Sequence, residues 1–146
     1  MSKRYIVERE FEHAGYKCVV TFGVLGHRCG YVGIPKTHPL YGKGYDECQD
    51  ICCHGGLTYS GGGDKSKHPI ESDLWWFGFD CAHYGDGKDL KLAYKKFLEE
   101  RASIAYMMKS EQMFPEASES DVLRTEEYVA DECKRLAEQL KEFEKE

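Results

Sequence analysis

The chain has 146 residues, 41% of them apolar and 32% charged, with a formal net charge of −6. That length suits a single domain, residues 1–146, with enough interior for a real core. No run of about 18 apolar residues is present to predict a membrane span, and no basic stripe is present to grip an extended nucleic-acid backbone.

The first half, residues 1–86, reads as mainly β. Tyr16 to Leu25 is the first predicted strand, with Val19, Thr21 and Phe22 as β-formers. Gly26-His27 predicts a two-residue hairpin turn, Arg28 to Ile34 the return strand, and Pro35 the end of the ladder. Residues 35–53 read as a loop, Gly56 to Ser60 as a short strand, and Gly61 to Ser72 as a polar Gly-rich loop. Leu74 to Cys81 is the strongest strand and holds both tryptophans.

Residues 87–146 read as mainly α. Leu90, Tyr94, Phe97, Leu98, Ile104, Ala105 and Met108 line one face of a helix from Asp89 to about Gln112, interrupted near Arg101 and ended by Pro115. Ser118 and Asp121 resemble a capping box, and a last helix is predicted from about Ser120 to Phe143. Its apolar stripe is Val122, Val129, Leu136 and Phe143, with Cys133 and Leu140 between. That stripe suits docking on the sheet; it would also serve as the seam of a homodimer. The expected fold is α+β, an antiparallel sheet of about four strands with two long helices packed on one face.

Charge is unevenly spread. Residues 111–146 carry 12 acidic and 5 basic side chains, whereas the other 110 carry 14 and 15. An acidic, solvated helix face accounts for the imbalance. The first ten residues lack the apolar core of a secretory signal, so a cytoplasmic location is expected. The seven cysteines are odd in number, which fits reduced thiols better than a disulfide framework.

Strand alternation divides the tryptophan segment. Trp75, Phe77 and Phe79 should face the helices. Trp76, Gly78 and Asp80 should face the other way, where a flat ligand could lie on Gly78, stack on Trp76 and bond to Asp80. His83 and Asp86 follow at the strand end, and Asp80, His83 and Asp86 are evenly spaced. A histidine beside carboxylates suits acid–base work or a divalent metal. His54-Gly55-Gly56-Leu57-Thr58-Tyr59 is a second candidate: paired glycines let backbone approach a ligand or offer N–H groups to an anion, with His54 at the lip and Tyr59 beyond. Arg28 flanks the hairpin turn, where it could fork onto an anion. Catalytic candidates are therefore His54, Asp80, His83 and Asp86. Ligand-binding candidates are Arg28, His54, Gly55, Gly56, Tyr59, Trp76, Gly78 and Asp80.

Cys48, Cys52, Cys53, His54, Cys81 and His83 raise the question of zinc. Their spacings form no pair of knuckles, and adjacent cysteines do not ligate one ion with good geometry, so no metal site is expected. A nucleophilic pair of Cys81 or Cys29 with His54 is a further reading. No GxxxxGK[ST] phosphate loop occurs.

Arg28-Cys29-Gly30-Tyr31-Val32-Gly33-Ile34-Pro35, His38-Pro39-Leu40-Tyr41-Gly42, His54–Tyr59, Trp75–Asp86 and the Tyr128–Leu140 ending occur in that order. With them the chain resembles a family of small bacteriophage, prophage and bacterial proteins. Residues 89–114 and Cys48, Cys52 and Cys53 depart from that pattern. The resemblance implies a phage accessory role in the host cytoplasm and carries over no catalytic residue. The expected function is binding of a small nucleotide-like ligand, or of a host protein, on the aromatic, His- and Asp-lined face. The alternative is a small His/Asp-dependent hydrolase or transferase, with or without the assistance of a metal.

Overall fold

The computed structural model describes residues 5–23, 26–48, 50–62, 68–70, 72–81, 86, 89–97 and 124–144. Five strands form one antiparallel sheet: β1 (Tyr5–His13), β2 (Tyr16–Gly23), β3 (Arg28–Ile34), β4 (Tyr59–Gly62) and β5 (Trp75–Asp80), in spatial order β1-β2-β3-β5-β4. Among the described residues, two α-helices complete the α+β arrangement, the seven-residue α1 (Leu90–Lys96) and the 18-residue α2 (Glu126–Phe143). Among the described residues no helix is long and apolar enough to cross a membrane.

The sheet has one strand more than the four expected. The extra strand, β1, carries Glu8, Arg9, Glu10 and Glu12 and lies at the sheet edge, where charge is favoured because it blunts further pairing. It joins β2 through Ala14 and Gly15, both at positive φ (55° and 87°), the conformation of a turn that follows strand twist. The β2–β3 connection is longer than the predicted Gly26-His27 pair. β2 ends at Gly23, whose N–H and carbonyl pair with His27 O and Gly26 N at 2.8 and 2.9 Å.

Alternation sorts the side chains as the strand pattern requires. Cys18, Val20, Val32, Phe77 and Phe79 meet Val129, Cys133, Leu136 and Leu140 of α2 in the main core. Gly30 makes the close approach between layers possible, since a Cβ there would stand 2.5 Å from the Phe79 ring and 2.7 Å from Cys133 Sγ. Phe22, in step with Cys18 and Val20 along β2, meets Ala93 and Phe97 at α1.

The helices depart from expectation. α2 starts later than Ser120: Thr125 is its cap and accepts from Tyr128 N at 3.1 Å. Ser118, Asp121 and Val122 lie outside the described residues. α1, capped by Asp89 accepting from Leu92 N at 3.0 Å, stops at Lys96, and residues 98–112 also lie outside them. One long helix is therefore described rather than two. Its stripe residues Val129, Cys133, Leu136 and Leu140 are fully buried against the sheet of the same chain, so they offer no seam to a second copy.

Candidate functional site

The loop between β3 and β4 is tied to α2. The Gln139 side chain pairs with the backbone of Cys52, accepting from its N–H at 2.8 Å and donating to its carbonyl at 2.6 Å. Ile51 and Cys48 enter the main core beside it. Tyr128 precedes Gln139 by about three helical turns and therefore projects from the same side of α2. Between these two anchors the chain turns at Cys53-His54-Gly55-Gly56, closed by Gly56 N–H donating to Cys53 O at 2.9 Å. Gly55 and Gly56 take φ of 68° and 84°. The paired glycines thus serve the turn that presents His54, and the Gly56 N–H offered to an anion in the sequence reading is spent on it.

His54 lies between a hydroxyl and a carboxylate. Its Nδ1 is 2.8 Å from Tyr128 Oη, and its Nε2 is 2.8 and 3.0 Å from the two oxygens of Asp86. Asp86 also accepts from Arg124 Nε at 2.9 Å. The Asp86 side chain is 1% exposed, against 12% for His54 and 25% for Arg124. An ionised carboxylate only accepts, so a neutral His54 ring donates from Nε2 and leaves Nδ1 to accept from the tyrosine hydroxyl. The Arg124 guanidinium lies over the Tyr128 ring, 4.9 Å from its centroid, and the His54 ring meets that ring edge-on at 5.5 Å.

Burial pushes the Tyr128 hydroxyl pKa up, with the Glu132 charge adding to it and the Arg124 cation opposing it. Tyr128 therefore keeps its proton and acts as a donor. Asp86, through their shared bond, raises Arg124 further. Glu132 is itself held by Arg135 at 2.7 Å.

Arg28 has a positioning task rather than an open fork. Its Nε and Nη2 meet the two oxygens of Glu8 at 2.6 and 3.1 Å, its Nη1 donates to Arg124 O at 3.1 Å, and it lies over Phe22. Glu8 is the residue skipped in the β1–β2 register between Val7 and Arg9, a bulge that aims its carboxylate at Arg28. Through this pair the sheet edge holds the chain leading into α2.

The tryptophan face is closed. Trp76 is fully buried with Val19 and Tyr31, and its indole donates to Ser72 Oγ at 3.0 Å. Something flat does lie on Gly78, but it is the ring of Tyr31, whose carbons would stand 2.6 Å from a Cβ there. Tyr59, opposite Gly78 in β4, packs edge-on against Tyr31 and His68. Protein thus covers Trp76 and Gly78, and the Tyr59 ring is partly buried against Tyr31 and His68. Asp80 is half-buried and pairs with Cys29 across the strands, on the face opposite Phe79 and α2. His54 and Asp86 are brought together; Asp80 and Asp86 both stand close enough to Cys81 to raise its thiol, and His83 lies outside the described residues.

Cys81 is buried next to the cluster, and burial pushes its thiol up to about 12, with Asp86 adding to the shift. Cys29 is likewise raised, mainly by burial. Neither thiol is primed as a nucleophile for His54. Among the described residues no group of three or more His, Cys, Asp and Glu side chains converges to hold a metal ion.

Arg124 and Tyr128 were not among the sequence candidates. Arg124 is one of five basic residues in the acidic C-terminal segment, which was a faint signal, and only the fold shows what it faces. Comparison with protein-family models, curated proteins and solved structures finds no match to this chain.

Proposed function

We propose that the chain binds a small ligand at the Tyr128 end of the Tyr128–His54–Asp86 hydrogen-bond chain. The observation that carries this reading is the Asp86 carboxylate, 1% exposed, holding both His54 and Arg124. A buried charge tolerates removal from water only when well paired, and here its partners are polar groups that reach the surface. The ligand meets the Tyr128 hydroxyl and the exposed part of Arg124, while Asp86 and His54 hold those groups in place. The likeness to bacteriophage and bacterial proteins supports an accessory role inside the host cell, with a nucleotide-like molecule as the first ligand class to test. Calorimetry against nucleosides and mononucleotides should give binding that Tyr128→Phe or His54→Gln weakens about tenfold, the worth of a hydrogen bond to a charged or polarised group. Tyr59→Phe, on the covered face, should leave it unchanged. Equal affinity in all three variants would rule the site out.

A second reading, a small hydrolase or transferase, is favoured by one further feature. Both nitrogens of His54 are engaged, in a line from hydroxyl to carboxylate, which is the arrangement of a proton relay. His54 would take a proton from Tyr128 or from a water seated beside it, and Asp86 would stabilise the charged ring. Turnover of a bound ligand, lost in Asp86→Asn while binding persists, would select this reading.

A further inference from the structure

Arg124 donates only its Nε to Asp86, at 2.9 Å. Its two Nη groups make no hydrogen bond to any described residue, although a guanidinium presents five donors in a fixed fork. The side chain is 25% exposed and its guanidinium is held two ways, by Asp86 at Nε and by the Tyr128 ring beneath it, while Arg28 fixes the backbone through the Arg124 carbonyl. A guanidinium fixed through Nε with Nη directed elsewhere is prepared for a second acceptor.

We infer that the two Nη groups of Arg124, beside the Tyr128 hydroxyl, form an anion site that takes a phosphate or carboxylate group of the ligand. This rests on the ligand site proposed above and names the chemical class it reads. Asp86 already balances the Arg124 charge, so an arriving anion is held by directed donors from the two Nη groups rather than by net charge. The acidic groups nearby are accounted for. Asp86 faces Nε and not Nη, and Glu132 is committed to Arg135. Arginine suits this task better than lysine because its planar fork meets two anionic oxygens at once.

The test uses inorganic phosphate and acetate as probes on the full chain, with sodium chloride at matched ionic strength as the control. The readouts are the chemical shift of the Arg124 Nε–H and calorimetric affinity. Phosphate, acetate or both should shift that signal saturably at millimolar concentration, while chloride does not. The stronger of the two identifies the anion class. Arg124→Gln should weaken that binding about tenfold or more, and Arg124→Lys should recover part of it. The Nε–H signal is read in the parent protein only, and near-ultraviolet circular dichroism verifies that each variant is folded. No saturable shift with either probe, or equal affinity in Arg124→Gln, overturns the anion site. If a neutral nucleoside still binds in a Tyr128-dependent way, the ligand site stands and only its anion preference fails. If Tyr128→Phe is also silent, both fail.

Discussion

His54 Nδ1 lies 2.8 Å from the hydroxyl of Tyr128, a residue 74 positions later in the chain. The pair joins a glycine turn to the first turn of α2. Asp86 then joins both to Arg124, so four residues from three separate segments form one connected polar cluster. Its stability and its chemistry share the same anchor.

Asp86→Asn tests that anchor. An amide cannot accept from both His54 and Arg124 as a carboxylate does, and it brings donors of its own toward theirs. Removing one partner of a buried charge network costs about 2–4 kcal/mol. Urea unfolding should show that loss at neutral pH. Stability within about 0.5 kcal/mol of the parent would mean that the cluster bears no structural load.

Gly30→Ala tests the spacing between sheet and helix. The added methyl would overlap the Phe79 ring and Cys133 Sγ, at 2.5 and 2.7 Å. Both neighbours are fully buried and have little room to yield. Overpacking of this kind costs about 1–3 kcal/mol. Phe79→Leu in the same chain should recover part of the loss, and failure of that rescue would place the clash elsewhere.

His68 gives a pH dependence with a defined sign. It is enclosed by Tyr5, Tyr31 and Tyr59, with ring centroids 5.1 Å from each, and its Nε2 is 3.1 Å from Tyr31 Oη. Burial lowers its pKa below the usual 6.5. Below pH 6.5 the unfolded chain therefore takes up a proton that the folded chain refuses, and stability falls as pH drops from about 6.5 toward the lowered folded value. Above 6.5 this contribution is flat. His68→Gln keeps a polar partner for Tyr31 and should flatten the acid-side decline relative to the parent. Parallel pH profiles for the two proteins would contradict the assignment.

Some of this was legible in the sequence. Runs such as Arg28–Ile34 and Trp75–Asp80 are β-formers bounded by glycine and proline, and the structure has strands there. Alternation also sorts Phe77 and Phe79 onto the helix side. It cannot say whether the opposite face is open. Tyr31, Tyr59 and His68 close that face from three different parts of the chain, so the expected seat beside Trp76 is interior. β1 was hidden because its charges suit an edge, and edge position is a property of the whole sheet. His54 and Asp86 stood out by residue type, but their pairing, and the recruitment of Arg124 and Tyr128, depend on α2 crossing the sheet. No local pattern encodes that crossing.

The most direct test of the central claim is a nuclear magnetic resonance titration of the labelled chain with adenosine 5′-monophosphate, following side-chain signals. The account predicts saturable shifts at His54, Arg124 Nε–H and Tyr128, with the Trp76 indole N–H, bonded to Ser72 Oγ at 3.0 Å, unmoved. Shifts centred on Trp76, Tyr31 and Tyr59, with His54 and Arg124 silent, would contradict it and return the binding face to the other side of the sheet.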